Sequence, residues 1–124
     1  MSIGPKRLVV GAHYGLKDWI AQRITAVILV VYTLILGLGL LMAPSPLKYE
    51  DWVHLFNWTV LGLPLGKLLA ILAVLSVTYH AWIGVRDIWM DYVKPAGIRL
   101  TLQVLTILWL AGSAVYAVLI LVRV

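Results

Sequence analysis

The stretch Ile24–Ala43, ITAVILVVYTLILGLGLLMA, contains no charged residue. It is about as long as a helix must be to cross the ~30 Å hydrocarbon core of a bilayer. Two further uncharged runs follow it, Leu68–Val85 and Leu100–Val122. None alternates apolar and polar residues as a barrel strand does, and only helices or closed barrels satisfy their whole backbone in lipid. The pattern predicts an all-α integral membrane protein with three transmembrane helices. Their spans cover approximately 18–43, 66–90 and 97–122 of a single membrane domain, 1–124.

Composition agrees. Hydrophobic residues make up 63% of the 124, charged residues only 12%, and the mean hydropathy is +1.00. A soluble domain of this size needs far more polar surface to cover its core. The absence of cysteine means that this chain supplies no disulfide, no iron–sulfur cluster and no thiolate metal site. The net charge of +5 is read as lysine and arginine placed at membrane edges, next to lipid, with no nucleic acid among the partners. No secretory signal is expected, because the first apolar run starts about two dozen residues in and no small-residue cleavage site follows it.

The basic residues set an expected orientation. Lys6, Arg7, Lys17 and Arg23 precede the first span, and Arg86, Lys94 and Arg99 lie between the second and third. The other side has only Lys48, Lys67 and Arg123. The positive-inside rule then puts the N-terminus in the cytoplasm and the C-terminus outside. In the outer connection, prolines end the first helix. Beyond them Trp52, Leu55 and Phe56 recur at helical spacing, as in an aromatic segment lying in the interface.

The second span carries the candidate chemistry. Ala73, Ser76, His80, Gly84, Asp87 and Asp91 follow at steps of three or four, so they share one stripe of a helix. Two readings fit the histidine. It hydrogen-bonds a neighbouring helix while the small residues allow close packing, or it ligates a haem iron while they make room for the porphyrin. The remaining histidines, His13 and His54, lie at other depths, so a second axial ligand has to come from another chain. Ser113 and Ala117 form a second small-residue face, in the third span.

These segments resemble a known family. HAWIG (80–84) with DYVKP (91–95) is similar to the hydrophobic membrane-anchor subunit of succinate dehydrogenase, the smaller cytochrome b subunit of bacterial respiratory complex II. DWIAQRITAVIL (18–29) resembles that family's entry to its first span, LKYEDWVHLF (47–56) its outer connection, and RLTLQ (99–103) the start of its third span. The resemblance implies a multi-pass protein of the bacterial inner membrane packed against a sister three-helix cytochrome b subunit. Together they anchor a flavoprotein and an iron–sulfur subunit. It further implies haem b shared with the sister, and a part in reducing ubiquinone, with no succinate chemistry in this chain.

Residue by residue, the resemblance implies His80 as axial haem ligand and Arg23 near the haem propionates. It implies Tyr92 as hydrogen-bond donor to a quinone carbonyl and Asp91 as the acidic residue beside it. Arg86 and Asp87 depart from the family's pattern, and Asp87 shares the stripe with Asp91, so periodicity leaves both carboxylates open. Two other readings were set against this one. The anchor of a fumarate reductase or another b-type oxidoreductase fits the same motifs. A small multidrug-type transporter needs an acidic residue within a span, and the three runs hold none.

Overall fold

A computed structural model of the chain describes the backbone of residues 3–124 and the side chains of residues 15–124. The side chains of Lys6, Arg7 and His13 lie outside the described residues. Four helices succeed one another: α1 (Ile3–Met42), α2 (Tyr49–Asn57), α3 (Leu65–Tyr92) and α4 (Ala96–Arg123). Three are long and apolar enough to cross a membrane, over Gly15–Met42, Leu65–Tyr92 and Ala96–Arg123, and the described residues hold no strand. The predicted all-α protein with three membrane-spanning helices is what the chain forms.

Prolines punctuate the helices. α1 stops just before Pro44, and Pro64 and Pro95 stand immediately ahead of α3 and α4. A proline cannot continue a preceding helix, yet its missing N–H costs nothing where a helix begins. The connection between α1 and α3 has structure of its own. The backbone N–H of Lys48 donates to the Asp51 carboxylate at 3.1 Å, closing the first turn of α2. Between α2 and α3, Val60 and Leu63 exchange two backbone hydrogen bonds around Leu61 and Gly62, both at positive φ. A tight turn of this kind requires two left-handed residues, which is natural for glycine and strained for leucine.

α2 then lies over the start of α3. The Gly66 N–H donates to the Trp58 carbonyl at 3.0 Å, and a Cβ at Gly66 would stand 2.8 Å from the Phe56 carbonyl oxygen. Only glycine permits this approach. The Asn57 amide also donates to the Val124 carbonyl at 2.9 Å, tying α2 to the far end of α4.

α3 is the central helix and packs on both α1 and α4. Its inward stripe is Gly66, Ala70, Ala73, Ser76 and Ile83, all buried. The rest of the bundle is open: Leu34, Leu41, Leu108, Trp109 and Tyr116 are among many large side chains left exposed. Such a surface is stable only against lipid or other apolar protein. Ser113 is on that surface, while Ala117 is half-buried.

Candidate functional site

Because α3 runs antiparallel to α1, the beginning of α1 and the end of α3 share one side of the bundle. Polar contacts between the helices gather toward that side. Deepest is His80, where the imidazole Nδ1 lies 3.0 Å from Thr25 Oγ1 of α1. Nearer the end, Arg86 of α3 pairs with Asp18 of α1, side chain to side chain. On the other flank the Trp89 indole N–H donates to Thr106 Oγ1 of α4 at 3.0 Å, and that hydroxyl in turn donates to the Leu102 carbonyl at 2.8 Å. In lipid, such bonds relieve polar groups that have no water to turn to.

His80 is half-buried, and among the described residues its only hydrogen-bond partner is Thr25. The Nε2 atom is therefore unengaged. One turn further on, a Cβ built on Gly84 meets nothing within 4 Å, so that flank of the histidine is open. On the other flank Ala73 and Ser76 face the bundle, yet each borders a cleft, Ala73 one of about 340 Å³ with Val77 and Ala117. They are 7% and 5% exposed, packed inside the bundle, and Ser76 borders a cleft of about 620 Å³ that Ile107 and Leu110 of α4 also line. Because α3 is central, its small residues both accommodate this chain's own neighbouring helices and leave these clefts beside them.

Among the described residues no three His, Asp or Glu side chains come together to hold a metal ion. A metal at His80 therefore needs a carrier that fills most of its coordination sphere. A porphyrin supplies four nitrogens and leaves the axial positions to imidazoles. An apolar, half-buried histidine with one ring nitrogen free fits that requirement.

Arg23 is not brought to His80. It stands two residues before Thr25, about 200° around α1, so it projects from the far face. There its guanidinium lies 4.7 Å from the centroid of the Trp19 ring, a cation–π arrangement on an exposed surface. Its depth is nevertheless close to that of His80, because Thr25 is level with the imidazole and two residues of helix amount to roughly 3 Å.

Asp91 and Tyr92 end α3, eleven and twelve residues beyond His80, with Tyr92 roughly 18 Å along an unbroken helix. Tyr92 is 79% exposed and Asp91 is exposed, and neither makes a side-chain hydrogen bond among the described residues. Asp87 differs, with its carboxylate 3.8 Å from the Arg86 guanidinium. The sequence motifs missed two partners here. Nothing marked Thr25 as the histidine's neighbour, and nothing marked Asp18 as the counter-ion of Arg86, since each is more than fifty residues away in the chain. Among the described residues, Gln22 Oε1 and Arg86 Nε are buried without a hydrogen-bond partner.

Comparison with known proteins gives a consistent result. A family model described as "Succinate dehydrogenase/Fumarate reductase transmembrane subunit" matches residues 2–120. The succinate dehydrogenase hydrophobic membrane anchor subunit of Coxiella burnetii (strain RSA 493 / Nine Mile phase I) is 36% identical over 104 residues, covering 84% of this chain and 85% of that protein. The protein of the same name from Rickettsia bellii (strain RML369-C) is 34% identical over 91 residues, covering 73% of this chain and 68% of that one.

Proposed function

The chain belongs to the succinate dehydrogenase/fumarate reductase transmembrane subunit family, and from that premise we propose that it anchors the flavoprotein and iron–sulfur subunits of a quinone-reducing succinate dehydrogenase. Both relatives bear the name of a succinate dehydrogenase anchor, which favours that enzyme over a fumarate reductase. The anchor is a multi-pass protein of the bacterial inner membrane, with the N-terminus and the α3–α4 connection cytoplasmic and the C-terminus outside. Its apolar exposed faces pack on a sister cytochrome b subunit of three helices.

The observation that carries the reading is His80: within an apolar span, half-buried, with Nδ1 engaged and Nε2 without a partner among the described residues, beside the open Gly84 flank. His80 would hold haem b through Nε2, together with a ligand from the sister subunit. When bound, haem b accepts and releases single electrons. Arg23, at nearly the same depth and on an exposed face, would hold the haem propionates as a charge-assisted pair.

Tyr92 and Asp91 form this chain's part of the ubiquinone site. The Tyr92 hydroxyl, exposed and without an internal partner, donates to a quinone carbonyl whose oxygen becomes more basic as electrons arrive from the iron–sulfur subunit. Reduction to the quinol consumes two electrons and two protons. Asp91 holds an incoming proton or its carrier water at a carboxylate oxygen beside that tyrosine. Asp91 suits this role better than Asp87, because the Arg86 guanidinium stands close to Asp87.

The test is a dithionite-reduced minus oxidised spectrum of the purified complex with and without His80→Ala. The reading expects a b-type signal that the substitution abolishes or shifts. An unaltered signal rejects His80 as the ligand.

A further inference from the structure

We propose that Thr25 is the positioning residue that sets the tautomer of His80, holding the proton on Nδ1 so that Nε2 presents a lone pair to a metal. The proposal rests on the reading of His80 as a haem ligand and adds a residue of α1 to it. Thr25 is 9% exposed, within an apolar span, so its hydroxyl has only protein groups to bond. Three surround it: the Ala21 carbonyl at 2.7 Å, the Gln22 carbonyl at 3.2 Å and His80 Nδ1 at 3.0 Å.

A hydroxyl has one proton to donate and two lone pairs with which to accept. Both carbonyls can only accept, and the Ala21 contact is the shortest of the three. The hydroxyl proton therefore goes to the backbone of its own helix. Oγ1 then offers a lone pair toward the histidine, which is satisfied only by Nδ1–H. In a neutral imidazole one nitrogen is the donor and the other the acceptor. With the proton on Nδ1, Nε2 is bare.

The opposite arrangement, with the hydroxyl donating to an unprotonated Nδ1, would abandon the Ala21 carbonyl and place the proton on Nε2, where it blocks ligation. The backbone of α1 thus biases the imidazole through one hydroxyl. Such partners of a ligating histidine orient the ring and raise its basicity, and removing them typically weakens metal affinity about 10- to 100-fold. An acceptor on Nδ1–H also makes the imidazole a stronger electron donor, favouring the oxidised iron.

The experiment uses the complete membrane complex with Thr25→Val, which keeps the shape but not the hydroxyl, and Thr25→Ser, which keeps the hydroxyl. Haem midpoint potential is measured by redox titration, and haem loss by transfer to an excess of an apo-haem-binding protein. Thr25→Val is expected to raise the midpoint potential and speed haem loss about 10- to 100-fold, and Thr25→Ser to restore both toward wild type. A Thr25→Val complex with wild-type potential and haem retention overturns the proposal. If Thr25→Val does not assemble, Thr25→Ala against Thr25→Ser decides it: identical potentials in the two overturn it. His80→Ala is the separate control. An unchanged haem signal there refutes the ligand itself, whereas loss of the signal alongside a silent Thr25→Val refutes only the role of Thr25.

Discussion

Replacing Tyr92 by phenylalanine isolates one hydroxyl at the end of α3. The side chain is 79% exposed and bonds nothing else among the described residues, so its removal leaves no buried group unsatisfied. Exposed substitutions of this kind usually change stability by less than about 0.5 kcal/mol, and assembly of the complex is expected to be normal. The effect should fall on the quinone step. A hydrogen bond to a neutral carbonyl contributes about 0.5–1.5 kcal/mol, and one to an oxygen gaining charge about 1.5–3 kcal/mol. At about 1.4 kcal/mol per factor of ten, succinate:ubiquinone reductase activity should fall by about 2- to 10-fold in the first case and up to about 100-fold in the second. Succinate oxidation by a soluble dye, which draws electrons before the quinone site, should be unchanged. Equal loss of both activities would place the defect in folding or assembly, and equal retention would deny the hydroxyl any part in quinone reduction.

Three further comparisons probe the same end of the bundle and the packing of its helices. Asp91→Asn is expected to lower quinone reductase activity more than Asp87→Asn does, measured by the same pair of assays; the reverse order would assign the quinone carboxylate to Asp87. Asp18→Asn removes the nearer of the two carboxylates beside Arg86 in a partly buried layer, so it should lower the thermal midpoint of the complex in detergent, and Arg86→Met added to it should recover part of the loss. A double variant less stable than the single one would show that Arg86 is held by other groups. Gly66→Ala drives a Cβ to 2.8 Å from the Phe56 carbonyl oxygen, an overpacking that costs about 1–3 kcal/mol and should reduce assembled complex in membranes. Wild-type levels would mean that α2 shifts freely off α3.

The membrane class was legible from three uncharged runs because lipid imposes one demand on every residue of a span: apolar side chains on a closed hydrogen-bonded backbone. The helix over Tyr49–Asn57 was legible in its aromatic spacing for a similar local reason. Periodicity also put Ala73, Ser76, His80 and Gly84 on one side of α3, yet it could not divide that side into sectors. In the structure Ala73 and Ser76 are buried against neighbouring helices and border clefts between them, whereas the Gly84 flank is open. A repeat of three and four residues describes one helix and contains no information about its neighbours. Thr25 and Asp18 escaped notice for the same reason, since their meaning depends on contacts between helices 55 and 68 residues apart in sequence. Arg86 looked like a departure from the family pattern; pairing with Asp18 gives it a structural use.

The most direct measurement is the low-temperature redox difference spectrum of the intact complex, wild type beside His80→Ala, normalised to flavin. A b-type haem band in the wild type that vanishes or moves in the variant, while flavin content holds, is the predicted result. An identical band in both would mean that this imidazole never touches the iron, and that its bond to Thr25 serves helix packing alone.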